Sequence, residues 1–232
     1  MSDFQVIPID YDDTKEWCLY KHYAHRMPPI SFAFGLYREG KMEGMCTFGR
    51  PVALTLVKNA FQGEYQDIFY ELNRLCVNEG LPKNTLSWFV GQCLKRLPKP
   101  MVIVSYADSS QHHHGYIYQA TNWLYTGLSS PFKDYMVKGM EGMHSASIMD
   151  LVGRSDKNGH IDKVKRLKEK FGEENVYQVD RARKHRYFML LGSKTQVRRM
   201  REKLIYPTEP YPKGDNQRYD ASYQPHYQGL LF

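Results

Sequence analysis

The residues best equipped for chemistry fall in three short stretches. His22-Tyr23-Ala24-His25 sets two imidazoles three positions apart at the expected end of an N-terminal helix. That spacing puts both on one helical face and suits a metal, although such pairs also serve as surface or capping residues. Between Asp108 and Tyr118 the chain concentrates Asp108, His112, His113, His114, Tyr116 and Tyr118. Asp108 can act as a base or a metal ligand, and its alternative is to cap the next turn. Tyr118 offers an acidic or orienting hydroxyl, and Tyr116, Tyr118 and Trp123 offer rings for stacking or for a core. His22 with Asp108 makes an imidazole and carboxylate pair suited to iron or another transition ion. Asn73 and Arg74 are candidates for binding phosphate or substrate, with pairing of Arg74 to Glu71 or Glu79 as the structural alternative.

These groups need elements to position them. Tyr70 to Val77 reads as a strand, in which alternation lets only one of Asn73 and Arg74 face the apolar side. After the loop 78–83, Asn84 caps a helix whose Leu86, Phe89, Val90, Cys93, Leu94 and Leu97 form one apolar face, stopped by Pro98 and Pro100. Met101-Val102-Ile103-Val104 then reads as a strand buried on both sides, so strand, helix and strand predict a parallel crossover. The Asp108 segment follows that strand, at the end where α/β folds bind ligands. A hairpin is expected from strands 32–37 and 42–48 joined by Arg38-Glu39-Gly40-Lys41. Further strands are expected at 123–126, 135–137, 176–179 and 187–191. One late helix turns Ile161, Val164, Leu167 and Phe171 inward; Ser193 caps another that buries Val197, Met200 and Leu204. Beyond Tyr206 an irregular tail packed through aromatics is expected.

The 232 residues, 42% apolar and 25% charged, argue for one compact domain with room for an extension and against wholesale disorder. No apolar run approaches the roughly 18 to 20 residues of a membrane span, and the first residues lack a basic-then-apolar leader, so a soluble, cytoplasmic protein is expected. Cys18, Cys46, Cys76 and Cys93 form no C-x-x-C pair and read as buried free thiols. P-loop, G-x-G-x-x-G and G-x-S-x-G motifs are absent from the sequence. The net charge of +7 is uneven: residues 151–206 hold 16 basic and 7 acidic side chains. A localised excess of this kind is the footprint of a phosphate-backbone binder. It nominates Lys163, Lys165, Arg166, Arg198, Arg199 and Arg201 for DNA contact. The expected division is a core, 1–150, and a basic α/β extension, 151–232, packed on it or belonging to the same domain.

Several strings together resemble the Mom family of phage DNA-modification proteins. They are His22-Tyr23, TFGRP at 47–51, ELNRLCV at 71–77, LPKNTLSWFVGQ at 81–92 and SYADSSQHHHGYIYQATNWLYTG at 105–127, with HRYFMLLG at 185–192 and YPTEPYPKGDN at 206–216. The resemblance implies a GNAT-like mixed sheet with flanking helices. It also implies conversion of adenine in double-stranded DNA to N6-carbamoylmethyl adenine, which protects phage DNA from restriction in the host cytoplasm. His22, Tyr23, Asp108 and Tyr118 match positions implicated in that activity, and bound iron is associated with the site. A base modified within a duplex must leave the stack, so flipping is expected, with Tyr118, Tyr116 or Trp123 stacking on it. Acyltransferases of this fold hold coenzyme A pyrophosphate on a Q/R-x-x-G-x-G/A loop, where this chain has Asn78-Glu79-Gly80-Leu81-Pro82-Lys83-Asn84. With Gly80 alone, coenzyme A is not expected and the group donor stays open. Two rivals remain: an acyltransferase using acetyl coenzyme A on a protein or small amine, and a non-catalytic DNA-binding module.

Overall fold

A computed structural model describes residues 3–153 and 162–214. The fold is mixed α/β, as expected: a seven-stranded sheet with flanking helices. β1 (Phe4–Pro8), β2 (Phe32–Arg38), β3 (Lys41–Gly49) and β4 (Phe69–Val77) run antiparallel in succession. The β2–β3 turn places Glu39 and Gly40 at positive φ, the requirement of a tight hairpin. From β4 the chain crosses through α3 (Thr85–Arg96) to the parallel strand β5 (Met101–Asp108). β9 (Lys184–Leu191) lies antiparallel to β5 and to β6 (Leu124–Leu128).

Burial follows the pattern of the sequence. Met101 to Val104 is buried throughout, and its residues divide between two cores. Met101 and Ile103 pack with Phe89, Val90 and Cys93 of α3, with Trp123 and with Tyr187. Val102 and Val104 pack with Phe61, Phe69, Phe188, Leu56 of α2 (Leu54–Asn59) and Met200 of α7 (Lys194–Lys203). Ser193 caps α7 in a reciprocal capping box with Gln196. All four cysteines are buried free thiols, as expected. Among the described residues no helix is long and apolar enough to cross a membrane.

The described residues form two compact units, one from 3–128 with 184–214, the other from those within Ser129–Arg183. The expected boundary at 150/151 is therefore displaced. Strand β9, placed by sequence in a C-terminal extension, is an interior strand of the main sheet because it pairs on both sides. The second unit holds the antiparallel pair β7 (Phe132–Val137) and β8 (Val176–Arg181), with α5 (Ser145–Asp150) and α6 (Lys163–Phe171). Val137, Ile148, Val152 and Leu167 form its own core. Ile161, expected on the inner face of α6, lies outside the described residues. Residues 206–214 form an irregular strap: Tyr211 donates to the Trp123 carbonyl, and the Tyr116 hydroxyl, on α4 (Tyr116–Ala120), donates to the Gly214 carbonyl at 2.6 Å.

Candidate active site

Strands β4 and β5 pair only from Phe69–Glu71 against Val102–Val104, and past Glu71 they part. The divergence frees the Leu72 carbonyl, which accepts a hydrogen bond from Ser105 Oγ at 2.8 Å; Ser105 in turn shares one with the Tyr118 hydroxyl at 2.7 Å. Above that seam opens a cavity of about 580 Å³. Its wall includes His22, Tyr23, Asn73, Arg74, His113, Tyr116 and Tyr118 from the sequence reading, together with Glu71, read there only as a partner for Arg74, and Lys184, which that reading did not select.

Each side chain arrives by a local irregularity. α1 (Tyr11–Glu16) passes into one π turn, Trp17–Lys21, and the His22 N–H closes it on the Trp17 carbonyl at 2.8 Å. The chain turns extended at His22, so the helix ends before the two histidines can share a face. His22 is buried while His25 is exposed, at positive φ, with Nδ1 2.9 Å from the Leu19 carbonyl. His22 Nδ1 accepts a hydrogen bond from the Ala24 N–H at 3.1 Å, which puts the neutral ring's proton on Nε2. Burial, then the charges of Arg74 and the neighbouring histidines, push His22 down to about 3, so it is neutral at ordinary pH. Its ring stacks on Tyr23 at 4.3 Å, and Tyr23 meets His113 edge-on at 6.1 Å. Burial and Asp108 push the Tyr23 hydroxyl up to about 12.

In β4 the register against β3 slips between Thr47 and Phe48, leaving Asn73 as the extra residue of a bulge. The simple alternation expected for Asn73 and Arg74 does not hold there. Asn73 accepts from Thr47 at 2.6 Å and donates to the Pro29 carbonyl at 2.7 Å. Gly49 lets that loop approach so closely that any Cβ would strike the Pro29 carbonyl. Arg74 donates to the carbonyls of Arg26 (2.9 and 3.3 Å) and Asn73 (2.7 Å), so its guanidinium ties down the 26–29 loop. Glu71 feels Arg74 and Lys184 without a direct bond to either: burial dominates and raises its carboxyl to about 7.

Asp108 joins the site through Lys184, its register partner across β5 and β9, at 2.8 Å. Its other oxygen accepts from the Ser110 N–H and hydroxyl, at 3.0 and 2.7 Å, capping the turn that follows. The lysine and the Ser110 bonds outweigh burial and keep Asp108 ionised below the usual carboxylate range. Both members of the expected metal pair are thus committed. The His22 tautomer points a proton, not a lone pair, from Nε2, and both Asp108 oxygens have partners. Among the described residues no group of three or more His, Cys, Asp or Glu is placed to hold a metal. The side chains in this arrangement do not fit an iron site.

Trp123 is wholly buried against Tyr118 at 5.1 Å and does not line the cavity. Tyr118 is itself buried, its hydroxyl raised far from neutrality and engaged with Ser105, so it braces the seam. The six basic residues divide equally between α6 of the second unit and α7 of the first. Glu71 stood out in the sequence only as a possible ion-pair partner of Arg74, and the Lys184–Asp108 pairing spans strands that no local pattern joins.

Comparison with known proteins returns the Mom protein family over residues 3–213. The chain is 25% identical over 201 residues to the methylcarbamoylase Mom of Escherichia phage Mu, covering 83% of this chain and 77% of that protein. Among solved structures it is similar to an apo mutant of agmatine N-acetyltransferase (TM-score 0.40, 13% identical, 82% of this chain and 100% of that one). It is also similar to an N-acetyltransferase from Staphylococcus aureus Mu50 (TM-score 0.41, 9% identical, 81% and 98%).

Proposed function

The chain belongs to the Mom protein family, and from that premise we propose that it modifies adenine in DNA, attaching a carbamoylmethyl group to the exocyclic N6 and so shielding phage DNA from restriction. The observation that carries the reading is the cavity where β4 and β5 part. Its volume falls inside the roughly 300 to 1,000 Å³ of small-molecule sites, which leaves room for a flipped purine beside a group donor. The stacked His22 and Tyr23 rings, the edge of His113 and the half-exposed Tyr116 present π faces and hydroxyls to a base taken out of the duplex.

The chemistry required is modest in parts and demanding in one. Adenine N6 is a weak nucleophile because its lone pair is delocalised into the ring, so the site must orient it and relieve it of a proton. Asp108 was the sequence candidate for that base, but its ion pair with Lys184 gives it a different part: it holds the lysine at the cavity wall. Arg74 and Lys184 supply positive potential for a developing negative charge on the donor. Neutral His22 contributes its ring and an Nε2–H donor. Basic side chains of α6 and α7 supply contacts to duplex phosphates.

The test is to express the chain in a bacterial host, digest host DNA to nucleosides and weigh deoxyadenosine. A species heavier by C2H3NO is the expected result. Unaltered deoxyadenosine beside soluble protein would return the reading to an ordinary acyltransferase or a DNA-binding module.

A further inference from the structure

We propose that Glu71 is the catalytic base that accepts the proton from the adenine amine, a proposal that rests on the DNA-adenine reading above. Glu71 is the last β4 residue paired with β5, so its side chain stands at the root of the cleft, where the strands begin to part. Two cations flank it, yet neither neutralises it by contact. Arg74 is spent on the carbonyls of Arg26 and Asn73, and Lys184 on Asp108. The bulge at Asn73 is what brings Arg74 to the side of Glu71, because in an unbroken strand residues three apart face opposite ways. The carboxylate therefore keeps lone pairs for a ligand.

The groups that act electrostatically with Glu71 come from every neighbouring element: Tyr23 from the π turn, Arg74 from β4, Tyr106 from β5, Tyr118 from α4 and Lys184 from β9. All three tyrosines are held neutral by burial, so Glu71 is the group among them that changes charge near neutrality. Its carboxyl, at about 7, is balanced between being ionised and being basic enough to take a proton. Asp108 is far less basic, because Lys184 and Ser110 hold its charge in place.

In the transfer, the N6 lone pair forms a bond to the electrophilic carbon of a donor that carries an anionic leaving group. The bond from that carbon to the leaving group breaks, and its electron pair departs on the leaving group. The N6 proton passes to a Glu71 carboxylate oxygen, which releases it to solvent before the next turnover.

The test compares the full-length wild type, Glu71→Gln and Glu71→Asp in a bacterial host, with modified deoxyadenosine measured by mass spectrometry and DNA affinity and melting measured on each purified protein. The expected result is a loss of about 100-fold or more in Glu71→Gln with DNA affinity retained, and partial recovery in Glu71→Asp. In permeabilised cells, which supply the donor, wild-type modification should rise through about pH 7 and that limb should move in Glu71→Asp. Modification by Glu71→Gln within about threefold of wild type, or a flat wild-type profile from about pH 5.5 to 8.5, would overturn the proposal while leaving the adenine reading intact. A wild type that modifies no adenine would overturn the reading itself. If Glu71→Gln does not fold, the profile of Glu71→Asp decides.

Discussion

Charge in the unit built from Ser129–Arg183 and charge on the cavity wall behave differently. In the former most of it is solvated and paired within a helical stretch or across β7 and β8: Lys168 with Glu173 at 2.6 Å, Lys133 with Asp180 at 3.7 Å, Lys165 with Glu169 at 3.9 Å. Such exposed pairs contribute about 0 to 1 kcal/mol each. On the cavity wall Arg74 is bonded to carbonyls and Lys184 to Asp108 on the adjoining strand, while Glu71 is desolvated beside both without a direct bond to either. There a neutral His22, a Glu71 near 7 and a firmly ionised Asp108 lie in one neighbourhood. Counting basic residues along the chain finds where charge is displayed to solvent; it does not find where ionisable groups are desolvated and shifted.

The largest effect on this contrast should come from Arg74→Met. The substitution strips the Arg26 carbonyl of its donors, at a cost of about 1 to 3 kcal/mol for each buried group left unsatisfied. The expected result is a drop in Tm of several degrees. Arg74 is also the first of the influences that lower the Glu71 carboxyl, so a ¹³C titration should find Glu71 higher than in wild type. An unchanged melting curve would show that the tether to the 26–29 loop contributes nothing.

Two further substitutions on the same wall should respond to pH with opposite signs. Asp108 is held below its unfolded value, so its ion pair stabilises the fold above that value and the contribution disappears as pH falls through the folded one. Lys184→Met should therefore cost about 1 to 3 kcal/mol at pH 7, discounted for the partial exposure of the lysine, and almost nothing in strong acid. Glu71 is raised from 4.5 to about 7, so the folded protein holds a proton the unfolded chain has lost. Stability falls across that interval, and the penalty is complete above it. Glu71→Gln should then be more stable than wild type at pH 8, by something on the order of 1 to 3 kcal/mol, and equal to it near pH 4. Melting curves at the two pH values check both variants. A Glu71→Gln protein less stable than wild type at pH 8 would mean that its carboxylate is held by contacts and is not penalised by burial.

How much of this was legible in the sequence follows from the range of the interactions. The apolar face of α3, the doubly buried β5, the hairpin turn and the Ser193 cap rest on spacings of one to four residues, and they appear where the pattern puts them. The bulge at Asn73 depends on register against another strand, so alternation within ELNR could not reveal that Glu71 and Arg74 share a side. Lys184 reaches Asp108 only because β9 inserts between β5 and β6. The His22 and His25 pairing failed for a local reason: the helix widens into a π turn and stops at Lys21, one residue too early. The alternatives kept for Asp108 as a cap and for Trp123 as core describe where the structure puts both.

The smallest effects on stability should come from the six basic residues of α6 and α7, where each alanine should shift it by less than about 0.5 kcal/mol. Their effect on DNA affinity should differ by helix. On α6, Lys163 faces Asp150 at 3.8 Å and Lys165 faces Glu169 at 3.9 Å, so part of their charge is already answered. On α7, Arg198 pairs with Glu202 at 3.7 Å, whereas Arg199 and Arg201 make no ion pair among the described residues. A cation with no intramolecular partner gives up less to meet a phosphate. Arg199→Ala with Arg201→Ala should therefore flatten the dependence of log K on log salt by close to 0.9 per contact removed, and Lys163→Ala with Lys165→Ala by less. Equal slopes for the two double variants would mean that a phosphate displaces the surface carboxylates freely, and that display alone, not local pairing, sets the grip on the duplex.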